Sequence, residues 1–163
     1  MTLAVRTGLA LLSMMLAAAH AHAYLVQVEP GDDGVLAAPP DALALHFSMT
    51  IEARFSTFEI HRLDVDADGL PADLAAPTER ERQRLNALAA QLAARVLDAD
   101  RDEDASGRAD DGTVGLSDGD TVVTVGMRPD LPAGAYVVVW DVLAVDAHWT
   151  SGHTLLLIAG PAD

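Results

Sequence analysis

Hydrophobic and polar positions alternate along both flanks of the chain and recur at helical spacing only in its middle. "YLVQVEP" opens the first flank, and the turn-rich "GDDGVLAAPP" follows it. "ALALHFSM" then places Leu43, Leu45, Phe47 and Met49 on one face of a strand. In "RFSTFEIHRL", Phe58, Ile60 and Arg62 share one face, while Phe55, Thr57, Glu59 and His61 share the other. From Asp64 the pattern changes. "DVDADGLPADLAAP" reads as a loop, and "TERERQRLNALAAQLAARVL" reads as a helix. Thr78 and Glu81 have capping-box spacing, and Leu85, Leu88, Leu92 and Val96 form a stripe. Alanines at 89, 90, 93 and 94 would let that helix approach its own domain closely. The acidic "DADRDEDASGRADDG" reads as a solvated link up to Asp111. "DTVVTVGM", "GAYVVVWDVLAVDAH" and "GHTLLLIAG" restore strands, with "RPDLPAG" a turn between the first two.

Strands at both ends without alternating helices predict an antiparallel β-sandwich rather than a parallel α/β sheet. Residues 64–111 are then a helical, acidic insertion in an all-β fold.

The first 23 residues have the pattern of a secretory signal. Arg6 is their only charge, an apolar run spans Leu9 to Leu16, and alanines close the segment. Ala19-His20-Ala21 and Ala21-His22-Ala23 are both legal recognition triplets. The apolar run is shorter than a membrane span, and no later segment reaches about 18 consecutive apolar residues. The expected product is exported and soluble, with no membrane insertion after cleavage.

Charge narrows the partners. The chain carries a formal net charge of −15, and all ten basic residues are arginine. Losing the leader removes one arginine and no acid, so the remainder is more acidic still. That balance argues against nucleic acid and anionic lipid as partners. Cysteine is absent, which removes disulfides, thiolate metal sites and cysteine nucleophiles together. Any metal must be held by histidine, carboxylate, methionine or backbone nitrogen.

One pair of residues carries candidate chemistry. Asp146 and His148 lie two apart in "VDAH", where a continuous strand would project both to one side. Such a pair can meet one metal ion, or the carboxylate can simply orient a surface histidine. "DVDADG", from Asp64 to Gly69, opens like a calcium loop, but Ala75 stands where the closing acid belongs. It reads as a solvated acidic loop.

Taken together, "HAYLVQVEPGDDGVLAAPPDALALHFS", "ARFSTFEI" and "LPAGAYVVVWDVLAVDAHWTSG" resemble the CopC family in the correct order. The resemblance implies an immunoglobulin-like Greek-key sandwich and an exported, periplasmic copper-binding function without catalysis. It implies cleavage after Ala21, leaving a domain of residues 22–163 that begins with His22. By the same resemblance, the amine and ring of His22, the ring of His148 and the carboxylate of Asp146 bind one Cu(II) as a histidine brace. A CopD-type inner-membrane transporter is the implied partner.

The sequence departs from the family at several points. Met49 stands where many relatives have an acid, and its shared face with Leu45 and Phe47 favours packing over ligation. Only Met49 and Met127 follow the leader, so a methionine-rich Cu(I) site is not expected. Trp149 replaces a frequent proline. His153 is a candidate outer partner or a plain surface histidine, while His46 and His61 read as structural. Two other functions share these features. One is a histidine-brace monooxygenase, for which the low aromatic content offers little sugar-stacking surface. The other is an adhesion or assembly module with a decayed copper site.

Overall fold

The computed structural model describes residues 22–160 apart from 32–33, 100–106 and 118. The leader and the middle of the acidic link lie outside the described residues. The strands are β1 (Leu25–Glu29), β2 (Val35–Leu36), β3 (Ala42–Phe47), β4 (Thr57–Arg62), β5 (Asp110–Ser117), β6 (Val122–Met127), β7 (Gly134–Leu143) and β8 (Trp149–Ile158). One α-helix, α1 (Glu79–Asp98), lies between β4 and β5.

Two four-stranded sheets result, ordered β1-β3-β6-β5 and β2-β8-β7-β4. Lettering β1 and β3 to β8 as A to G gives A-B-E-D and G-F-C, the arrangement of a constant-type immunoglobulin domain. Tyr136, near the start of β7, donates its hydroxyl to the Pro132 carbonyl at 2.7 Å, a tyrosine corner at the expected place. The pairing is not wholly antiparallel, because β2 runs parallel to β8 through Val35↔Leu157 and Leu36↔Ile158. Pro30 has no N–H to extend the β1 ladder. The tight contact of Gly34 N–H with the Gly31 carbonyl then turns the chain toward the second sheet.

Sheet packing explains the sequence pattern. Leu43, Leu45 and Phe47 of β3 face Phe58, Ile60, Val138 and Trp140 of the second sheet. The opposite face of that sheet is also covered, since Ala135, Val137, Val139, Leu155 and Leu157 pack beneath Leu85, Ala89 and Ala93 of α1. β7 is therefore buried on both faces and reads as a continuous apolar run rather than an alternation. α1 starts at a complete capping box, with Thr78 and Glu81 bonded reciprocally. Leu85 is fully buried, while Leu88, Leu92 and Val96 flank the contact made by the two alanines. Burial of Leu85 alone stabilises the docking by about 2 kcal/mol.

β5 begins inside the stretch expected to be a solvated link. Asp110 is only 5 % exposed. Its carboxylate accepts from the Ile60 N–H at 2.9 Å, from Arg108 at 2.6 and 2.8 Å, and from the Gly112 N–H at 3.2 Å. Ala109 also donates to the Ile60 carbonyl, and Arg128 donates to the Ala109 carbonyl. The segment from Gly107 thus ties β4 of one sheet to β6 of the other. In the sequence these acids read as surface charge, because their partners, Arg108 and the β4 backbone, meet them only in the fold. Glu59 bridges the same network to His61 at 2.7 Å and to Arg108 at 3.2 Å, which places His61 in a structural role.

Two predictions follow from this packing. A Cβ on Gly152 would sit 2.5 Å from Trp140, which is edge-on to Phe47. Gly152→Ala should therefore cost about 1–3 kcal/mol, read as a lowered urea midpoint. Burial by itself would raise the Asp110 carboxyl, but the Arg108 guanidinium and the Ile60 N–H outweigh it and hold the group below its ordinary value. A depressed carboxylate stabilises the fold above its unfolded pKa and loses that contribution as pH falls through the folded one. Asp110→Asn should cost about 2–3 kcal/mol at pH 7. In paired urea titrations that gap should shrink below about pH 4, as the wild-type carboxyl protonates.

Candidate metal centre

Asp146 and His148 are not on a continuous strand. β7 ends at Leu143, and the pair sits in the turn that joins it to β8. Ala144 N–H donates to the His148 carbonyl, and Ala147 N–H donates to the Ala144 carbonyl, both at 2.9 Å. Ala147 has φ 65. This is a tight hairpin loop over residues 145–147, a β-turn followed by a left-handed residue. The sequence disguises it, because Val145 and Ala147 continue an apolar alternation and no glycine or asparagine marks the left-handed position.

The turn, not strand alternation, brings the two side chains together. One carboxylate oxygen of Asp146 accepts from the His148 backbone N–H at 3.1 Å, and the other lies 3.2 Å from His148 Nδ1. The backbone N–H of His148 is the main cause that lowers the Asp146 pKa. Burial is the next influence and opposes it, while the His148 ring and the charge of His22 add to the lowering. With Nδ1 facing Asp146, Nε2 of His148 is turned to the other side of the ring.

His22 reaches the same place from the opposite end of the sequence. Ala23 is 2 % exposed and packs in the core between the sheets. Its carbonyl accepts from Thr150 Oγ1 at 2.8 Å. Tyr24 N–H donates to Ser48 Oγ at 3.1 Å, and Ser48 N–H returns a bond to the Tyr24 carbonyl at 2.9 Å. One residue before this clamp, the His22 ring lies 5.0 Å from the His148 ring, tilted by 52°.

Other histidines and methionines are placed elsewhere. His153 pairs with Val139 and so shares the helix-side face of the second sheet. Met49 is packed against the core between the sheets, and Met127 is buried in it. His46 sits beside Glu29 at 3.5 Å. Trp149 opens β8 and remains half-exposed. Among the described residues no group of three or more His, Cys, Asp or Glu side chains is placed to hold a metal ion. What the fold brings together is two pairs that share His148: its ring with the His22 ring, and its ring with the Asp146 carboxylate. Thr150 and Ser48, which fix the path into His22, escaped the sequence reading because a hydroxyl at a strand end carries no signal of its own.

Comparison with known proteins shows what the fold is similar to. The sandwich resembles those of two solved structures. It superposes on CopC from Methylosinus trichosporium OB3b with a TM-score of 0.54 at 20% identity, covering 87% of this chain and 98% of that one. PcoC, a methionine rich copper resistance protein from Escherichia coli, superposes with a TM-score of 0.52 at 16% identity, covering 84% and 98%. No curated protein sequence matches the chain. The CopC domain family model matches residues 87–156, which include Asp146 and His148 but not His22. The family match thus runs from the middle of α1 into β8, and the sandwich as a whole is similar in fold to CopC and PcoC.

The carboxylate gives a direct check on the turn. In an NMR pH titration of the metal-free protein, Asp146 should titrate below the ordinary aspartate range. His148→Ala retains the backbone N–H and should move that midpoint up only part of the way.

Proposed function

We propose that this chain is an exported Cu(II)-binding protein, cleaved after Ala21, that sequesters or carries one copper ion in the periplasm. The observation that carries this reading is the meeting of His22 and His148, with Asp146 held against the latter. Two imidazoles bound to one ion through bonds of about 2 Å have ring centres roughly 4.5–6 Å apart. The observed separation falls in that range. A nitrogen-rich set with one oxygen suits Cu(II), which favours tetragonal N/O sites and stands at the top of the divalent affinity order.

The buried position of Ala23 supports cleavage before His22. Cleavage after Ala23 would remove a core methyl and the acceptor of the Thr150 hydroxyl, along with the histidine. Cleavage after Ala21 leaves these contacts intact and frees the His22 amine. Amine and ring nitrogen of one residue then chelate the cargo, His148 supplies a third nitrogen, and Asp146 an oxygen. In the chain that still carries its leader, the His22 nitrogen is an amide and cannot take this part. The role is binding and transfer rather than turnover, with a CopD-type membrane transporter as the receiver. Among the described residues no helix is long and apolar enough to cross a membrane.

The test is the intact mass of the natively exported protein, followed by Cu(II) titration of the same sample. A chain beginning at His22 that binds one Cu(II) is expected. His148→Ala should weaken binding by at least about tenfold, the lower end of what losing even a supporting partner costs. Affinity should fall with acidification, because the amine and imidazoles bind only when deprotonated. A chain beginning at Tyr24, or unchanged affinity in His148→Ala, would remove the copper reading.

A further inference from the structure

We infer that Thr150 is a positioning residue for this site, holding the N-terminal histidine against the hairpin turn that carries His148. The inference rests on the copper reading of His22 and His148 given above. Thr150 lies two residues after His148 and pairs with Val142 at the base of the turn. Its hydroxyl, part-buried, crosses 127 positions of sequence to the carbonyl of Ala23. That carbonyl belongs to the residue directly following His22. A single hydroxyl therefore joins the two halves of the site at the points nearest to each histidine.

The rest of the local structure leaves this bond a specific task. Ser48 fixes both backbone groups of Tyr24 to the end of β3, and so ties the N-terminal segment to the first sheet. His148 is carried by the second sheet. Thr150 is the hydroxyl that ties the segment to that second sheet, and it does so one residue closer to His22. The methyl of Ala23 is buried in the inter-sheet core, so its carbonyl direction is set, and without Thr150 that carbonyl would lose its partner. A buried acceptor left unpaired drives local rearrangement. Here the rearranging residue is the neighbour of a ligand. Small displacements of a ligand's support are known to cost metal affinity without unfolding a protein.

Thr150→Val keeps the β-branched shape and removes the hydroxyl, while Thr150→Ser restores it. The measurement is made on mature protein beginning at His22, first without metal. A nuclear Overhauser contact between the His22 and His148 rings is expected in the wild type and in Thr150→Ser, and is expected to be lost in Thr150→Val. Cu(II) added to the same samples should bind Thr150→Val roughly tenfold or more weakly, with an altered electron paramagnetic resonance spectrum, and Thr150→Ser like the wild type. Thermal melting establishes that each variant is folded. Should Thr150→Val fail to fold, Thr150→Ala repeats the comparison against Thr150→Ser. A folded variant lacking the hydroxyl that keeps the ring contact and the wild-type spectrum overturns the inference. Ring contacts that respond as expected in a wild type that does not bind Cu(II) uphold the positioning role and overturn the copper reading instead.

Discussion

The burial of β7 on both of its faces is the constraint from which the remaining structure follows. One face supplies the second wall of the inter-sheet core, and the other is the floor on which α1 lies. A strand enclosed in this way cannot slip its register, because a shift of one residue would exchange the two cores' side chains. β8 is paired to β7 from Gly134↔Ile158 to Leu143↔Trp149 without a break. The turn at residues 144–148 is therefore delivered to a fixed position at the end of the sandwich. Its chemistry depends on that delivery, since nothing but the turn itself packs Asp146 against His148.

The same constraint makes the N-terminal strand the variable partner. β1 is an edge strand, irregular between Leu25 and Gln27, and the residues before it have no sheet of their own. They are held by the methyl of Ala23 in the core and by the side chains of Ser48 and Thr150. On the function proposed above, such an edge would support a ligand created by cleavage. The free amine of His22 would arise on removal of the leader, while Ala23, Ser48 and Thr150, which fix its position, belong to the fold itself.

How much of this could be read from the sequence depended on whether the signal was local. The helix was legible because its cap, its stripe and its small residues are all contained within one segment. β3 and β4 were legible by alternation. β5 was missed since Gly112 and Gly115 dilute its pattern, and since Asp110, an acid in an acidic run, gives no hint that Arg108 and the β4 backbone will bury it. The parallel pairing of β2 was equally invisible in two residues. For the site, Asp146 and His148 were found as a pair but for the wrong local reason. His22 became a candidate through a family resemblance and through the Ala19-His20-Ala21 triplet that precedes it. Thr150 had no route to recognition, because its partner is a backbone carbonyl at the far end of the chain.

The insertion can be understood in the same terms. α1 covers residues 135–139 of β7 and 155–157 of β8, which is the half of the hairpin farthest from the turn. It adds a third layer to the stem and leaves the tip untouched. Stability and site chemistry are thus assigned to different ends of one hairpin. The stem is buried from both sides and sets the cooperativity of the fold, whereas Val145, Asp146, Ala147, His148 and Trp149 remain exposed. Substitutions at the tip act on surface groups and should change little beyond ±0.5 kcal/mol of stability unless they remove a specific bond. An insertion of this length between β4 and β5 leaves the tip of the hairpin unaltered because it is anchored at Asp110, on the side of the sandwich, and by α1, on the stem. Neither anchor involves His22, Asp146 or His148.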